Sequence, residues 1–366
     1  MINENSNSFC NPSHHEGTSV TMAPVLSEEQ RSLWCRLLDD ALHIVITCHR
    51  GPDGDAIGST TALASWLRRR YPLATIHIVA PTIFPDFLKW VPGSEEILVY
   101  EKNEEEVRPV VEQADLVILC DHGELKRMFT LGDVVRENPA PRIMIDHHLD
   151  PEPGIAELVV SYPELSSTCE VLMRMMLELE GADITYEEAV SLYTGMMTDT
   201  GAFTYASCRP EIFELISILL RCGIDKDKIY RNVFFTYSPN RMKLMGYMLY
   251  VKLDVWKKAH TAVMTFTNAE RRRFGVLNGD TEGLVNLPLQ ILGVKLSAFF
   301  REDTEHPCIR VSLRSVDDFP CNELAAEFFG GGGHKNAAGG EVWGTMDEAL
   351  AIFKKAVQKY LPQLKA

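Results

Sequence analysis

The sequence has no long apolar run, no surplus of positive charge and no ordered set of cysteines, and each shortage removes a class of protein. No apolar stretch approaches the roughly 18 residues that a membrane-spanning helix needs, and the N-terminus is polar rather than basic and then apolar. The expectation is a reduced, cytoplasmic protein with no membrane partner. Lys and Arg number 36 against 51 Asp and Glu, a formal net charge of -15. A surface of that sign repels a long polyphosphate backbone, which argues against long nucleic acid as a partner. A short anionic ligand needs only local positive charge, and bound divalent cations supply it. The nine cysteines, at 10, 35, 48, 120, 169, 208, 222, 308 and 321, are odd in number and form no Cys-x-x-Cys pair, so a disulfide framework is not expected.

What remains is an ordinary globular composition, 46% hydrophobic and 24% charged over 366 residues, enough for two domains with separate cores. Residues 1 to 25 are rich in Asn, Ser, Pro and His and read as a mobile tail outside the core, with His14 and His15 inert. Ser27-Glu-Glu-Gln has the spacing of a capping box, and Leu33, Leu37, Leu38 and Ala41 then form one stripe of a first helix. Apolar runs at 43 to 48, 76 to 80, 115 to 120 and 142 to 145 alternate with helical segments such as 55 to 70 and 104 to 113, the pattern of βαβ units and a parallel sheet. Helical periodicity continues at 167 to 180, 186 to 198 and 210 to 222. Strands near 261 to 266, 294 to 300 and 309 to 314 follow, with helices at 321 to 329 and 346 to 359. The expected architecture is α/β, with a parallel-sheet domain over 26 to 235 and a smaller mixed α/β domain over 236 to 366.

Three of the four clearest strands stop at an acidic or imidazole residue. His49 closes HIVITCH, Asp121 closes DLVILCD, and Asp146, His147 and His148 close RIMIDHH. In an open parallel sheet, ligands gather beyond the carboxyl ends of the strands, so these separate stretches are expected to meet in one cleft. Just past His49, Asp53 and Asp55 flank Gly54 at the start of a helix, and Asp199 ends an otherwise apolar one. Bare carboxylates at close range repel until one stays protonated, whereas divalent cations make the same arrangement stable. Asp53, Asp55, Asp121 and Asp199 carry four negative charges, which two divalent ions neutralise. Carboxylate and imidazole donors suit manganese, with magnesium as the second choice. Taken singly, each element reads as a turn, a satisfied strand end or a helix terminus. Their joint occurrence at strand ends favours the metal reading. Cys48 and Cys120 adjoin these residues and read as core.

The ordered set HRGPDGDAIGS, LCDHGE, IDHH and TDTGAF resembles the motifs of the DHH phosphoesterases, and GGGGHKNAAGG resembles the glycine-rich motif of their DHH-associated C-terminal domain. The likeness runs from about residue 40 to 345 and is greatest to the group that degrades very short oligonucleotides and 3'-phosphoadenosine 5'-phosphate (pAp). It implies that His49, Asp53 and Asp121 hold one metal and Asp55, Asp121, His147 and Asp199 the other, with Asp121 bridging. It further implies that His148 faces the substrate phosphate and that Asp146 orients the neighbouring imidazoles. His122, directly after Asp121, departs from the pattern and is not counted as a ligand.

In-line attack on a terminal phosphodiester or phosphomonoester is the expected chemistry. Gly331, Gly332, Gly333 and His334 are expected to cradle a neighbouring phosphate through backbone N–H groups, with Arg314 and Arg301 adding charge. An active site in the cleft between the two domains would then measure substrate length. Two rivals remain: an inorganic or polyphosphate phosphatase, and a cyclic dinucleotide sensor that has lost catalysis. Nucleobase preference, polarity of degradation and oligomeric state, a homodimer included, are left open by the residues.

Overall fold

The structure, a computed structural model, describes residues 22–180, 183–277 and 279–365. They divide into two compact units, one ending at Phe235 and the other beginning at Thr236. The expectations for residues 1–21, His14 and His15 among them, lie outside the described residues.

In the first unit the helices are α1 (Glu28–Asp39), α2 (Gly54–Arg70), α3 (Glu104–Glu112), α4 (Thr130–Glu137), α5 (Thr168–Glu180), α6 (Tyr186–Asp199), α7 (Pro210–Arg221) and α8 (Lys226–Phe234). Its strands are β1 (His43–Thr47), β2 (Thr75–Ala80), β3 (Leu98–Val99), β4 (Leu116–Cys120), β5 (Arg142–Asp146) and β6 (Leu158–Ser161). They form one sheet in the order β3-β2-β1-β4-β5-β6, with every pairing parallel. Strand order reverses between β1 and β4, and the crevice beyond their carboxyl ends is the binding position such a topology creates. Ile44, Ile46, Ile118, Cys120, Ile143 and Ile145 join one apolar cluster, while Val45, Val117, Leu119 and Met144 join another, so the sheet is buried on both faces.

Ser27 caps α1 with the reciprocal Gln30 bond that its spacing predicts. The tail does not stop short of the core as expected. Val25 is buried, and its N–H donates to the Glu178 carboxylate at 2.6 Å, because an apolar residue before the cap can pack while its backbone finds a helix side chain.

Helices α2 and α6 run antiparallel at close range, so the start of one lies beside the end of the other. Small residues permit this approach. A Cβ added at Gly54 would lie 2.3 Å from Thr198 Oγ1, and one at Gly195 would lie 2.3 Å from Cys169 Sγ and 2.7 Å from Asp55 Oδ1. Thr61 Oγ1 bonds Ser191 Oγ at 3.0 Å across the same seam.

The second unit contains helices α9 (Pro239–Tyr247), α10 (Asn268–Phe274), α11 (Cys321–Phe329) and α12 (Met346–Lys365). Its strands β7 (Asp254–Trp256), β8 (Thr261–Phe266), β9 (Leu296–Glu302), β10 (Cys308–Ser315), β11 (Gly332–His334) and β12 (Ala337–Trp343) form a mixed sheet in the order β11-β12-β10-β9-β8-β7. Only β8 and β9 pair in parallel. One apolar cluster joins this sheet to α11 and α12 through Leu324, Phe329, Phe353 and Val357, and another gathers Leu244, Met264, Phe266 and Phe299.

The glycine-rich segment is a β-hairpin as well as a turn. Gly332, Gly333 and His334 pair with Gly339, Ala338 and Ala337. Gly331 N–H donates to Ala325 O at 3.2 Å, so it is committed within the fold rather than held open as the sequence reading expected. A Cβ on Gly331 would sit 1.8 Å from Gly339 O, which makes this glycine a requirement of chain packing.

Replacing Gly195 by Ala should cost about 1–3 kcal/mol and lower the denaturation midpoint of the first unit, because Asp55 and Cys169 must move. Gly246→Ala, in α9 with nothing within 4 Å of the added Cβ, should be neutral or stabilising by up to about 1 kcal/mol. Chemical denaturation of both variants measures the contrast.

Candidate metal centre

The residues singled out at the strand ends come together. β1 runs out through Cys48 into His49, and Gly51 at φ +61° turns the chain toward α2. Asp53 caps that helix, its Oδ1 accepting the N–H groups of Asp55 at 3.0 Å and Ala56 at 3.1 Å. The positive end of a helix favours both carboxylates. β4 ends at Cys120, and Asp121 follows at φ +64°, a left-handed conformation that L-residues with a Cβ rarely adopt. Its N–H still bonds Ile145 O at 3.0 Å, so β5 holds the turn that redirects its carboxylate.

Asp121 lies between two groups of donors. Its Oδ2 is 3.3 Å from His49 Nε2, which is itself 3.9 Å from Asp53 Oδ2. Its Oδ1 is 3.7 Å from His147 Nε2, which lies 3.9 Å from Asp55 Oδ2 and 3.1 Å from Asp199 Oδ2. The donor atoms of His49, Asp53 and Asp121 fall within 4.8 Å of one another, as do those of Asp55, His147 and Asp199 and those of Asp121, His147 and His148. The antiparallel packing of α2 on α6 brings Asp55 and Asp199 to the same place.

The imidazoles are aimed by their far nitrogens, as ligand histidines generally are. His49 Nδ1 lies 2.8 Å from Arg50 O, and His147 Nδ1 lies 3.3 Å from Leu165 O. His148 Nδ1 pairs with Asp146 Oδ1 at 2.7 Å. Asp146 therefore orients one imidazole rather than both, because the backbone carbonyl of Leu165 takes the other. The His148 side chain is 22% exposed against 9% and 8% for His49 and His147, so it is the one most open to an incoming molecule.

The charges show how badly the cluster needs compensation. Burial, then the charges of Asp121 and Asp199, raise the Asp55 carboxyl well above its usual range. Burial raises Asp199 to about 6 against the pull of His147. Burial would lower both inner imidazoles, but Asp121 and Asp53 raise His49 to about 9, and Asp199, Asp121 and Asp55 raise His147 to about 10. Asp121 is buried, which favours its neutral form, yet its bond to His49 and the neighbouring imidazolium charges hold it below the carboxylate range. Protonated histidines thus carry the positive charge that a cation would bring. The donor set fits divalent metal on this ground as well as on its oxygen and nitrogen chemistry.

Several participants carry no signal at a strand end. Thr168 opens α5 with its N–H on Asp55 Oδ2 at 2.6 Å and its hydroxyl donating to Asp121 Oδ1 at 3.1 Å, and Cys169 N–H reaches Asp55 Oδ1 at 2.9 Å. Buried Glu170 ties that helix start to Ser166, Arg174 and Arg209. The run Ser166-Ser167-Thr168 ahead of an apolar helix was the available clue, since helix N-termini bind anions. His122 is fully buried, with neither ring nitrogen hydrogen-bonded, and burial beside His49 lowers it to about 3. Among the described residues it belongs to none of the donor groups gathered around Asp121 and Asp55. Cys48 and Cys120 are buried core residues.

In the second unit, Arg314 and His334 occupy one line of the sheet, each opposite Ala337 on the intervening strand. Arg301 lies within β9 opposite Arg310, where burial and the nearby Arg271 and Arg310 charges lower it.

Comparison with known proteins agrees with this layout. Residues 43–196 match the DHH family N-terminal domain and residues 258–361 match the DHHA1 domain. The chain belongs to the DHH phosphoesterase family. It is 30% identical to the bifunctional oligoribonuclease and PAP phosphatase NrnA of Thermus thermophilus, over 87% of this chain and 90% of that one. The protein of the same name from Bacillus subtilis is 26% identical over 84% and 92%. A solved structure of an exopolyphosphatase-related protein from Bacteroides fragilis superposes with a TM-score of 0.89 at 46% identity, covering 94% of this chain and 100% of that one. No helix among the described residues is long and apolar enough to cross a membrane.

Because His49 and His147 hold protons up to about pH 9 and 10, a cation must displace them. Manganese uptake by metal-free protein should therefore release protons and tighten as pH rises from 6 to 8. Calorimetric titration in buffers of differing ionisation enthalpy reads the release, and pH-independent affinity would contradict it.

Proposed function

We propose that this protein is a two-metal phosphohydrolase that breaks very short oligonucleotides into mononucleotides and removes the 3'-phosphate of pAp. The observation that carries the reading is the placement of Asp121, one oxygen toward His49 and the other toward His147. A single carboxylate positioned in this way suits a pair of cations. His49, Asp53 and Asp121 would hold one, and Asp55, Asp121, His147 and Asp199 the other, with manganese preferred by the donor set. When bound, the cations supply an activated water and neutralise charge on the phosphoryl oxygens.

The chain's own groups supply the rest. Thr168 and the start of α5 hold Asp55 and Asp121 against their mutual repulsion. Asp146 fixes the His148 ring through Nδ1, and the ring so oriented serves to bind the phosphoryl group and to give a proton to the leaving oxygen. Arg314 and His334, on one line of the DHHA1 sheet, would take a phosphate. The formal net charge of -15 disfavours long strands and leaves short ones. The NrnA relatives support the nucleotide substrates. The exopolyphosphatase-related neighbour favours one alternative, hydrolysis of inorganic polyphosphate.

A manganese-supplemented assay on a dinucleotide, pAp, tripolyphosphate and a long RNA distinguishes these readings. Turnover should be fastest on the dinucleotide and pAp, and preference for tripolyphosphate would move the assignment to the alternative. Asp121→Ala should lower turnover by ~100-fold or more while preserving the circular dichroism of the fold. Near-normal turnover in that variant would remove the two-metal reading.

A further inference from the structure

The loop between β4 and α4 contains a residue whose conformation the core does not explain. Phe129 sits at φ +54° and ψ -135°, a combination that a side chain normally excludes. Its neighbours Leu125, Met128 and Leu131 are buried in the core beside the sheet, but the Phe129 ring is 50% exposed. Apolar burial therefore offsets little of the strain. The backbone is nonetheless held in place, with Phe129 O accepting Gly132 N–H at 2.8 Å and Phe129 N–H donating to Lys126 O at 3.3 Å.

The Arg50 guanidinium stacks on this ring, its Cζ 3.7 Å from the centroid. Arg50 is the residue after His49. Its carbonyl accepts from His49 Nδ1 at 2.8 Å, and its N–H donates to Arg127 O at 2.8 Å. The peptide that aims His49 at Asp121 thus also carries the arginine, and the loop that carries the aromatic ring is tied to it. An aromatic ring and a planar cation are thereby fixed together, with the cation on the residue that follows His49.

The geometry points to Arg50 and Phe129 as a stacking platform for the nucleobase of the nucleotide whose phosphate meets the cluster, an inference that rests on the phosphohydrolase reading above. Nucleobases stack on aromatic rings and on guanidinium planes without regard to sequence. A base-free phosphate has no π-face to offer, so the platform separates nucleotides from inorganic polyphosphates. A pair that only pinned the loop would act on every substrate alike.

Phe129→Gly removes the ring and also relieves the backbone, so its thermal midpoint should not fall. In this variant the KM for a dinucleotide should rise ~10-fold, within the range that loss of one base stack produces. The kcat and the KM for tripolyphosphate should stay within about twofold. Phe129→Trp should restore the dinucleotide KM. Binding of AMP against ribose 5-phosphate, measured by titration calorimetry, reads the same contact without turnover, and Phe129→Gly should weaken only AMP. An unchanged ratio of the two affinities would overturn the platform, as would parallel losses on dinucleotide and tripolyphosphate. A wild type that hydrolyses no dinucleotide would instead sink the phosphohydrolase reading, leaving the AMP ratio to decide the platform by itself.

Discussion

The first domain is organised around the cost of burying negative charge. Asp55 and Asp121 are almost wholly inaccessible and Asp199 is close to both, so their mutual repulsion is poorly screened by water. Every nearby element answers that repulsion. The start of α2 turns its N–H groups on Asp53, the start of α5 turns its own on Asp55, Thr168 donates to Asp121, and two imidazoles take up protons that they would release in water. What the protein cannot supply is enough positive charge of its own, and this shortfall is what makes the cluster a place for cations.

The same requirement explains local features that cost stability. The left-handed conformation of Asp121 turns a carboxylate off the end of a strand that would otherwise point it into one face of the sheet. The small residues between α2 and α6 give up packing volume so that Asp55 and Asp199 can meet. The network of Glu170 with Arg174 and Arg209 fixes a helix start whose only polar task in the site is to face an anion. At the carboxyl end of the sheet, strain at Asp121 and buried charge at Asp55 and Asp121 therefore coincide.

Much of this was legible in advance. Alternating apolar runs and helical stripes located β1, β2, β4, β5 and the helices from α1 to α7 to within a few residues, apart from the short β3, the edge strand β6 and α4, whose runs are too brief to show a period. His49, Asp121, His147 and Asp199 stood out because a polar residue at the end of an apolar run is conspicuous, and Asp53 and Asp55 because they flank Gly54 at the start of a helix. Thr168 did not, since a threonine before a helix reads as a cap wherever it occurs. Asp146 was expected to serve both of its neighbouring imidazoles and serves His148 alone. The glycine-rich stretch suggested open N–H groups, yet Gly331 spends its own on Ala325.

The amino-acid order alone determined that acidic and imidazole side chains would emerge at the same end of a parallel sheet, because every strand of such a sheet points the same way and the chemistry was written where β1, β4 and β5 end. Only the tertiary structure decided which oxygen of Asp121 faces which histidine, that α5 donates to Asp55, and that Arg50 lies across Phe129. Those contacts join residues from separate elements, and their distances follow from how helices and loops pack on the sheet, which no local spacing encodes.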